Sequence, residues 1–256
     1  MTWIEALLLA FIEGLTEFLP ISSTGHLILT SALLGIEEEG FVKSFNIIIQ
    51  FGAILSVLFL YWRRFLPNLS FYKKVFVAFF PAAVIGLLVK DYIDAILGSV
   101  VVVAWALIIG GVLLIWTDNR FEVQKTSGRV VDDLNHKDCL KLGFIQCLAF
   151  IPGVSRSAAT ILGGLWLKMS RKEAAEFSFF LAVPTLTGAS AVKALPLLKT
   201  IQPDQLGLLA FGILMSFIFA LLAIRFFISL VSRYGFKHFG YYRILVGIAV
   251  LIFART

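Results

Sequence analysis

Apolar residues run through the chain in long blocks, and the polar residues that interrupt them recur at matching places in its two halves. Ile4–Phe18 and Ile21–Leu34 are apolar helical segments joined by the break Pro20-Ile21-Ser22-Ser23-Thr24-Gly25. Each is shorter than the roughly 20 residues that a helix needs to cross hydrocarbon, so residues 4–34 predict a re-entrant hairpin. Three fuller segments follow, at about 42–62, 75–89 and 96–116, and then a polar stretch at 117–138. A second broken pair occupies 139–167 around Pro152-Gly153-Val154-Ser155-Arg156-Ser157, and further segments lie at about 174–192, 206–231 and 239–254. A shift of 132 positions carries Phe18 onto Phe150, Pro20 onto Pro152, Ser23 onto Ser155 and Phe45 onto Phe177. The pattern predicts an all-α polytopic membrane protein made of two inverted-topology repeats, 1–116 and 139–256, with 117–138 as a cytoplasmic linker. An odd number of crossings per repeat forces opposite orientations, and paired broken helices mark a binding site near the bilayer midplane.

Composition makes lipid the solvent. Of 256 residues 59% are hydrophobic and 15% charged, with a mean hydropathy of +0.94, too apolar for a soluble surface. Glu13, Glu17 and Pro20 interrupt the first apolar stretch where a cleavable leader would have its uninterrupted core, so internal helices are expected to direct insertion. Cys139 and Cys147 lie too far apart along one helix for a disulfide and read as packing residues. The net charge of +6 is scattered over segment ends instead of forming a stripe, which argues against a nucleic-acid partner. Arg63, Arg64, Lys73 and Lys74 share one connection, and alternation puts 117–138, Lys168, Arg171, Lys172, Arg225, Arg233 and Lys237 on the same side. By the positive-inside rule that side is cytoplasmic, so the first hairpin enters from outside and the second from inside.

The candidate chemistry sits at the two breaks. Glu13 and Glu17, four apart, share a helix face and can converge on one cation; an intramembrane carboxylate is costly unless paired or hydrated. Glu13 also reads as an interfacial helix residue. Ser22, Ser23 and Thr24 precede a helix whose N-terminus can seat a phosphate oxygen, although plain N-capping explains hydroxyls there as well. His26 suits general acid, general base or nucleophile. Arg156, in the irregular second break, needs an anion: a phosphate with Ser155, Ser157 and Thr160 as further donors and Gly153 allowing close approach, or Glu17 in a salt bridge between hairpins. Gln50 and Gln146 read as helix-bridging polar groups, and Glu176 as interfacial.

Glu13-Gly-Leu-Thr-Glu17-Phe-Leu-Pro-Ile-Ser-Ser-Thr-Gly-His26 and Pro152-Gly-Val-Ser-Arg156-Ser-Ala-Ala-Thr160 closely resemble the undecaprenyl-diphosphate phosphatase family of bacterial membranes, also called the bacitracin-resistance protein family. The likeness extends through Phe45-Asn-Ile-Ile-Ile-Gln-Phe-Gly-Ala and Glu176-Phe-Ser-Phe-Phe-Leu-Ala-Val-Pro. It implies hydrolysis of the C55 lipid diphosphate to the monophosphate, recycling the carrier for wall polymers, in the plasma membrane with a site that opens outward. Carried over, it implies Mg²⁺ or Ca²⁺ assisted by Glu13 and Glu17, a diphosphate clamp in Arg156, and nucleophile and acid/base chemistry in Ser23 and His26. The working order has Ser23 attack with His26 as base; attack by His26 is its rival. Membrane lipid is the surrounding partner, and a homodimer stays open. The alternative function is a transporter or flippase of a phosphate-bearing lipid or anion, which the same architecture would serve.

Overall fold

The computed structural model describes residues 1–37, 39–66, 68–96, 99–120, 128–197 and 201–253. Twelve α-helices are described among them: α1 Trp3–Thr16, α2 Ser23–Leu33, α3 Gly40–Ile48, α4 Gln50–Leu60, α5 Leu69–Leu88, α6 Lys90–Ile96, α7 Val100–Arg120, α8 His136–Gln146, α9 Arg156–Trp166, α10 Arg171–Leu197, α11 Pro203–Tyr234 and α12 Lys237–Phe253. The only β pairing among the described residues is an isolated bridge between Arg129 and Met169. Five stretches are long and apolar enough to cross a membrane: Gly40–Leu60, Leu69–Leu88, Val100–Arg120, Arg171–Leu197 and Gln205–Tyr234. Large apolar side chains crowd the outside, among them Leu33 at 89% and Leu88 at 78% exposure, and only a lipid solvent makes that surface stable. The chain is an all-α polytopic membrane protein.

Several helix ends differ from the sequence pattern for local reasons. The stretch expected at 42–62 is interrupted for one residue at Ile49, between α3 and α4, where the backbone stays in the helical region. The helix expected from 75 begins at Leu69, where the Asn68 side chain caps it by accepting from the Phe71 N–H. Lys74 therefore lies inside α5, not in a loop, and its buried ammonium donates to the carbonyls of Val131 and Asp132 at 3.3 and 2.6 Å. The segment expected at 96–116 runs from Val100 to Arg120, and Pro203 opens α11 at its first turn, where a missing N–H costs nothing.

The two hairpins have the same local build. α1 opens on a capping box of Thr2 with Glu5, and α8 on one of Asn135 with Asp138. α2 and α9, of 11 residues each, open on serines with positive φ, Ser22 at 72° and Ser155 at 76°, whose hydroxyls accept from Gly25 and Ala158. Both helices are followed by another positive φ, at Gly35 (66°) and Lys168 (64°). These pairs are all related by 133 positions, one more than the shift that aligns the prolines. The offset is the same before and after the break, so it is the prolines that are one residue out of step; the structural counterpart of Ser155 is Ser22, and Ser23 corresponds to Arg156.

Helices from the two halves exchange neighbours. α1 packs on α11 and α8 on α5, while α7 and α12 pack on each other. Close contact is made possible by small residues: a Cβ on Gly14 would lie 2.6 Å from the Ser216 carbonyl oxygen, and one on Gly52 would overlap the Ile213 carbonyl, both on α11. Between the hairpins and α10 lies an aromatic core in which Phe18 meets Phe179 edge-on at 5.2 Å and Phe71 meets Phe180 at 5.3 Å. That core fixes the end of α1, and with it Glu17, against α10.

Candidate active site

Ser22 takes a positive φ that few non-glycine residues adopt, and this turns the chain sharply enough to set Ser23 as the first residue of α2, facing back toward the end of α1. There the Ser23 hydroxyl donates to Glu17 Oε2 at 2.5 Å. The other oxygen, Glu17 Oε1, accepts from Arg156 Nη2 at 2.7 Å, with both side chains less than 10% exposed. Arg156 is in turn the first residue of α9, just after Ser155. Thus the residue after each positive-φ serine reaches the same carboxylate, and the two breaks meet. The salt bridge weighed from sequence is present.

Arg156 is held by a residue that sequence reasoning passed over. Its Nη1 donates to the Ser178 carbonyl at 2.8 Å and to Ser178 Oγ at 3.1 Å, and Thr160 Oγ1 lies 2.7 Å from the same hydroxyl. Ser178 stands inside the quoted Glu176–Pro184 motif, so the signal was there; nothing in the sequence pointed it at Arg156. The guanidinium Nε is buried with no hydrogen-bond partner among the described residues. That leaves one edge of the fork to receive an oxyanion.

The remaining hydroxyls divide between site and scaffold. Ser157 donates to the Leu19 carbonyl at 2.7 Å, a direct link from the second hairpin to the first, and lies 2.9 Å from Ser155 Oγ. Ser22 and Ser155 are caps. Thr24 is the second residue of α2 and half-buried. Gly153, expected to let a ligand approach, also lets α7 approach, since at φ 92° a Cβ there would lie 2.6 Å from the Val103 carbonyl oxygen. Gln146 accepts from Thr185 as a helix bridge, and Glu176 accepts from Tyr61 away from the cluster. Gln50 is buried in α4.

His26 is next to the serines without bonding Ser23. Its Nδ1 is 2.8 Å from the Ser22 carbonyl, which only accepts, so Nδ1 carries the proton. In the neutral ring Nε2 then accepts from the Tyr242 hydroxyl at 2.8 Å, with the two rings stacked at 5.7 Å. Tyr242, on α12, is a second residue that the sequence reading missed. No hydrogen bond joins Ser23 and His26 among the described residues; the Ser23 hydroxyl is on Glu17.

The Glu13 carboxylate is fully buried beside Glu17, and no N–H or hydroxyl donor among the described residues reaches either of its oxygens. No group of three or more His, Cys, Asp and Glu side chains suited to a metal occurs among them. Two carboxylates, one with both oxygens unclaimed, nevertheless fit a hard divalent cation that takes its remaining oxygens from phosphate and water. Orphaned buried oxygens of this kind are costly without such a partner.

A third residue was passed over because it looks interfacial in sequence. Arg243, in the second turn of α12, is 0% exposed and has no carboxylate partner among the described residues. Its Nε donates to Leu107 at 3.3 Å, Nη1 to Pro20 and Val154 at 3.0 Å each, and Nη2 to Ala106 at 3.0 Å and Gly153 at 2.9 Å, carbonyl oxygens in every case.

Comparison with known proteins gives a consistent picture. The family profile described as Bacitracin resistance protein BacA matches residues 6–249. The chain is 58% identical over 256 residues to the undecaprenyl-diphosphatase of Bdellovibrio bacteriovorus, covering 100% of this chain and 97% of that one. It is 50% identical over 255 residues to the undecaprenyl-diphosphatase of Flavobacterium johnsoniae, covering 98% and 96%. To that of Porphyromonas gingivalis strain W83 it is 46% identical over 270 aligned positions, covering 96% and 95%.

Proposed function

Because the chain belongs to the bacitracin resistance protein BacA family, we propose that it hydrolyses undecaprenyl diphosphate to undecaprenyl phosphate and inorganic phosphate, recycling the lipid carrier of wall-polymer synthesis and conferring bacitracin resistance. The observation that carries this reading is the continuous contact Ser23–Glu17–Arg156, an alcohol on a carboxylate on a guanidinium, assembled from two helix breaks inside an apolar bundle. A transporter has use for the guanidinium. It has none for a serine already hydrogen-bonded to a base.

Phosphoryl transfer asks chiefly for positioning and for neutralisation of the transferred group. The terminal phosphate meets the free Nε edge of Arg156 and the N-terminal N–H groups of α2 and α9, where the helix dipoles favour an anion. Ser23 Oγ attacks the terminal phosphorus while Glu17 Oε2 takes its proton. The bond from that phosphorus to the bridging oxygen breaks, and undecaprenyl phosphate leaves with the electron pair. Water, deprotonated by His26, then attacks the phosphoserine phosphorus; the bond to Ser23 Oγ breaks, inorganic phosphate leaves, and Glu17 returns its proton to Ser23. Glu17 replaces His26 as the base for the first step because Glu17 holds the serine and His26 does not. Glu13, with Glu17, would hold a Mg²⁺ or Ca²⁺ ion, which when bound neutralises phosphate charge.

The shared caps, the 133-residue register and the exchanged packing of α1–α11 and α8–α5 support the reading of two repeats of inverted orientation. The cation-rich ends near Arg63, Arg64 and Arg233 support a cytoplasmic assignment there and a site open to the outer face. The prenyl chain stays in the bilayer between helices while its head enters the cluster.

Phosphate release by purified protein in detergent, where no gradient exists, tests the reading. Release from a prenyl diphosphate, abolished by Arg156→Ala, is the expected result. No release from any lipid diphosphate would favour the carrier.

A further inference from the structure

Arg243 and Tyr242 are adjacent on α12, and each touches the candidate site at a different kind of group. A guanidinium has five N–H bonds, and all five of those on Arg243 meet backbone carbonyls. Three of the five acceptors, Pro20, Gly153 and Val154, belong to the breaks, where the helical ladder is interrupted and carbonyls lack their usual partners. Pro20 is three residues before Ser23, and Val154 two before Arg156. The other two, Ala106 and Leu107, anchor the same guanidinium to α7. Gly110 on α7 makes the room: a Cβ there would overlap the Arg243 guanidinium. Tyr242 meanwhile donates its hydroxyl to His26 Nε2 and stacks on the ring.

We propose that Tyr242 and Arg243 form a positioning pair, Arg243 clamping the two breaks at a fixed separation and Tyr242 fixing the orientation of His26. The inference rests on the phosphatase reading of the site. A buried cation with no acid partner is expensive in a membrane interior, and here backbone dipoles compensate it only in the one arrangement that also registers Ser23 against Arg156. Lysine does not replace it, because an ammonium has only three N–H bonds on one atom for five carbonyls and lacks the planar fork that spans them.

The decisive experiment is a double-mutant cycle with purified protein in detergent, using a short-chain prenyl diphosphate and normalising kcat to the binding stoichiometry of its non-hydrolysable methylenediphosphonate analogue. Tyr242→Phe keeps the ring and is expected to lower kcat about tenfold, with KM within about twofold of wild type. In a His26→Ala background the same substitution is expected to cost nothing, because Tyr242 acts through His26; a merely structural role would lower activity equally in both backgrounds. Arg243→Lys is expected to lower the normalised kcat on the order of 100-fold, the scale of a small misplacement of reacting groups. Additive losses in the cycle, or a wild-type kcat in Tyr242→Phe or in Arg243→Lys, would overturn the proposal. Should Arg243→Lys not yield folded protein, the Tyr242–His26 cycle alone decides. An inactive wild type would instead remove the phosphatase reading, so the two failures are distinguishable.

Discussion

The two helix breaks are built alike and used differently. Each has a proline before it, a serine at φ near 70° capping the next helix, and a functional residue as the first member of that helix. In the first break that residue is Ser23, with Glu17 and His26 around it; in the second it is Arg156, braced by Ser178 and Thr160. The hydroxyls differ too. Ser23 of the first hairpin points at the shared carboxylate, whereas Ser157 of the second ties down the Leu19 carbonyl. Two hairpins of like build thus supply two equivalent positions, and in the proposed mechanism the chemistry arises from a nucleophile in one and a cation in the other. Neither break is sufficient alone, since a serine without the guanidinium lacks charge neutralisation and a guanidinium without the serine only binds.

Substitutions at the equivalent positions test that division, and Ser23→Ala is expected to be the most severe. Loss of the attacking oxygen should lower kcat by about 1,000-fold or more, with analogue binding intact. Arg156→Lys keeps the charge but not the fork, and an expected loss on the order of 100-fold, mostly in kcat/KM for the lipid diphosphate, would locate the function in geometry and not in charge. Ser157→Ala removes one link between the hairpins; about 1 kcal/mol of stability and only a few-fold of activity should go, readable by thermal unfolding in detergent and by phosphate release. The smallest effect is expected from the caps. Ser22→Gly and Ser155→Gly relieve the positive φ while losing the cap and should nearly balance, whereas Ser→Ala at either place should cost about 1 kcal/mol, equally in the two breaks. Unequal costs would mean that one of these serines has work beyond capping.

Much of the framework was legible because it follows from composition and spacing. Apolar block length marked the membrane helices, proline marked the breaks, and ionisable residues inside apolar blocks marked Glu17 and Arg156. Less legible were features set by tertiary contact. Nothing local at Ile48-Ile49-Gln50 announces the one-residue interruption between α3 and α4. The register of the repeat was off by one at the serines, because the prolines that suggested it are one residue out of step with the capping boxes and positive-φ serines of the same hairpins. The hydrogen-bond partner of Ser23 was not legible: His26 is three residues on, but its ring turns toward α12, while Glu17 comes back across the break. Tyr242 and Arg243 open an apolar helix, where aromatic and basic residues ordinarily mark an interface; only the burial of the guanidinium tells otherwise. The signal available in sequence was its position a full turn and more inside α12, beyond Lys237.

The most direct test of the meeting of the two breaks is to quench the enzyme during turnover with a lipid diphosphate labelled on its terminal phosphate and to map the labelled residue by mass spectrometry. Label on Ser23, lost in Ser23→Ala and slow to form in Arg156→Ala, is predicted. Label on His26, or turnover that persists in Ser23→Ala, would contradict it.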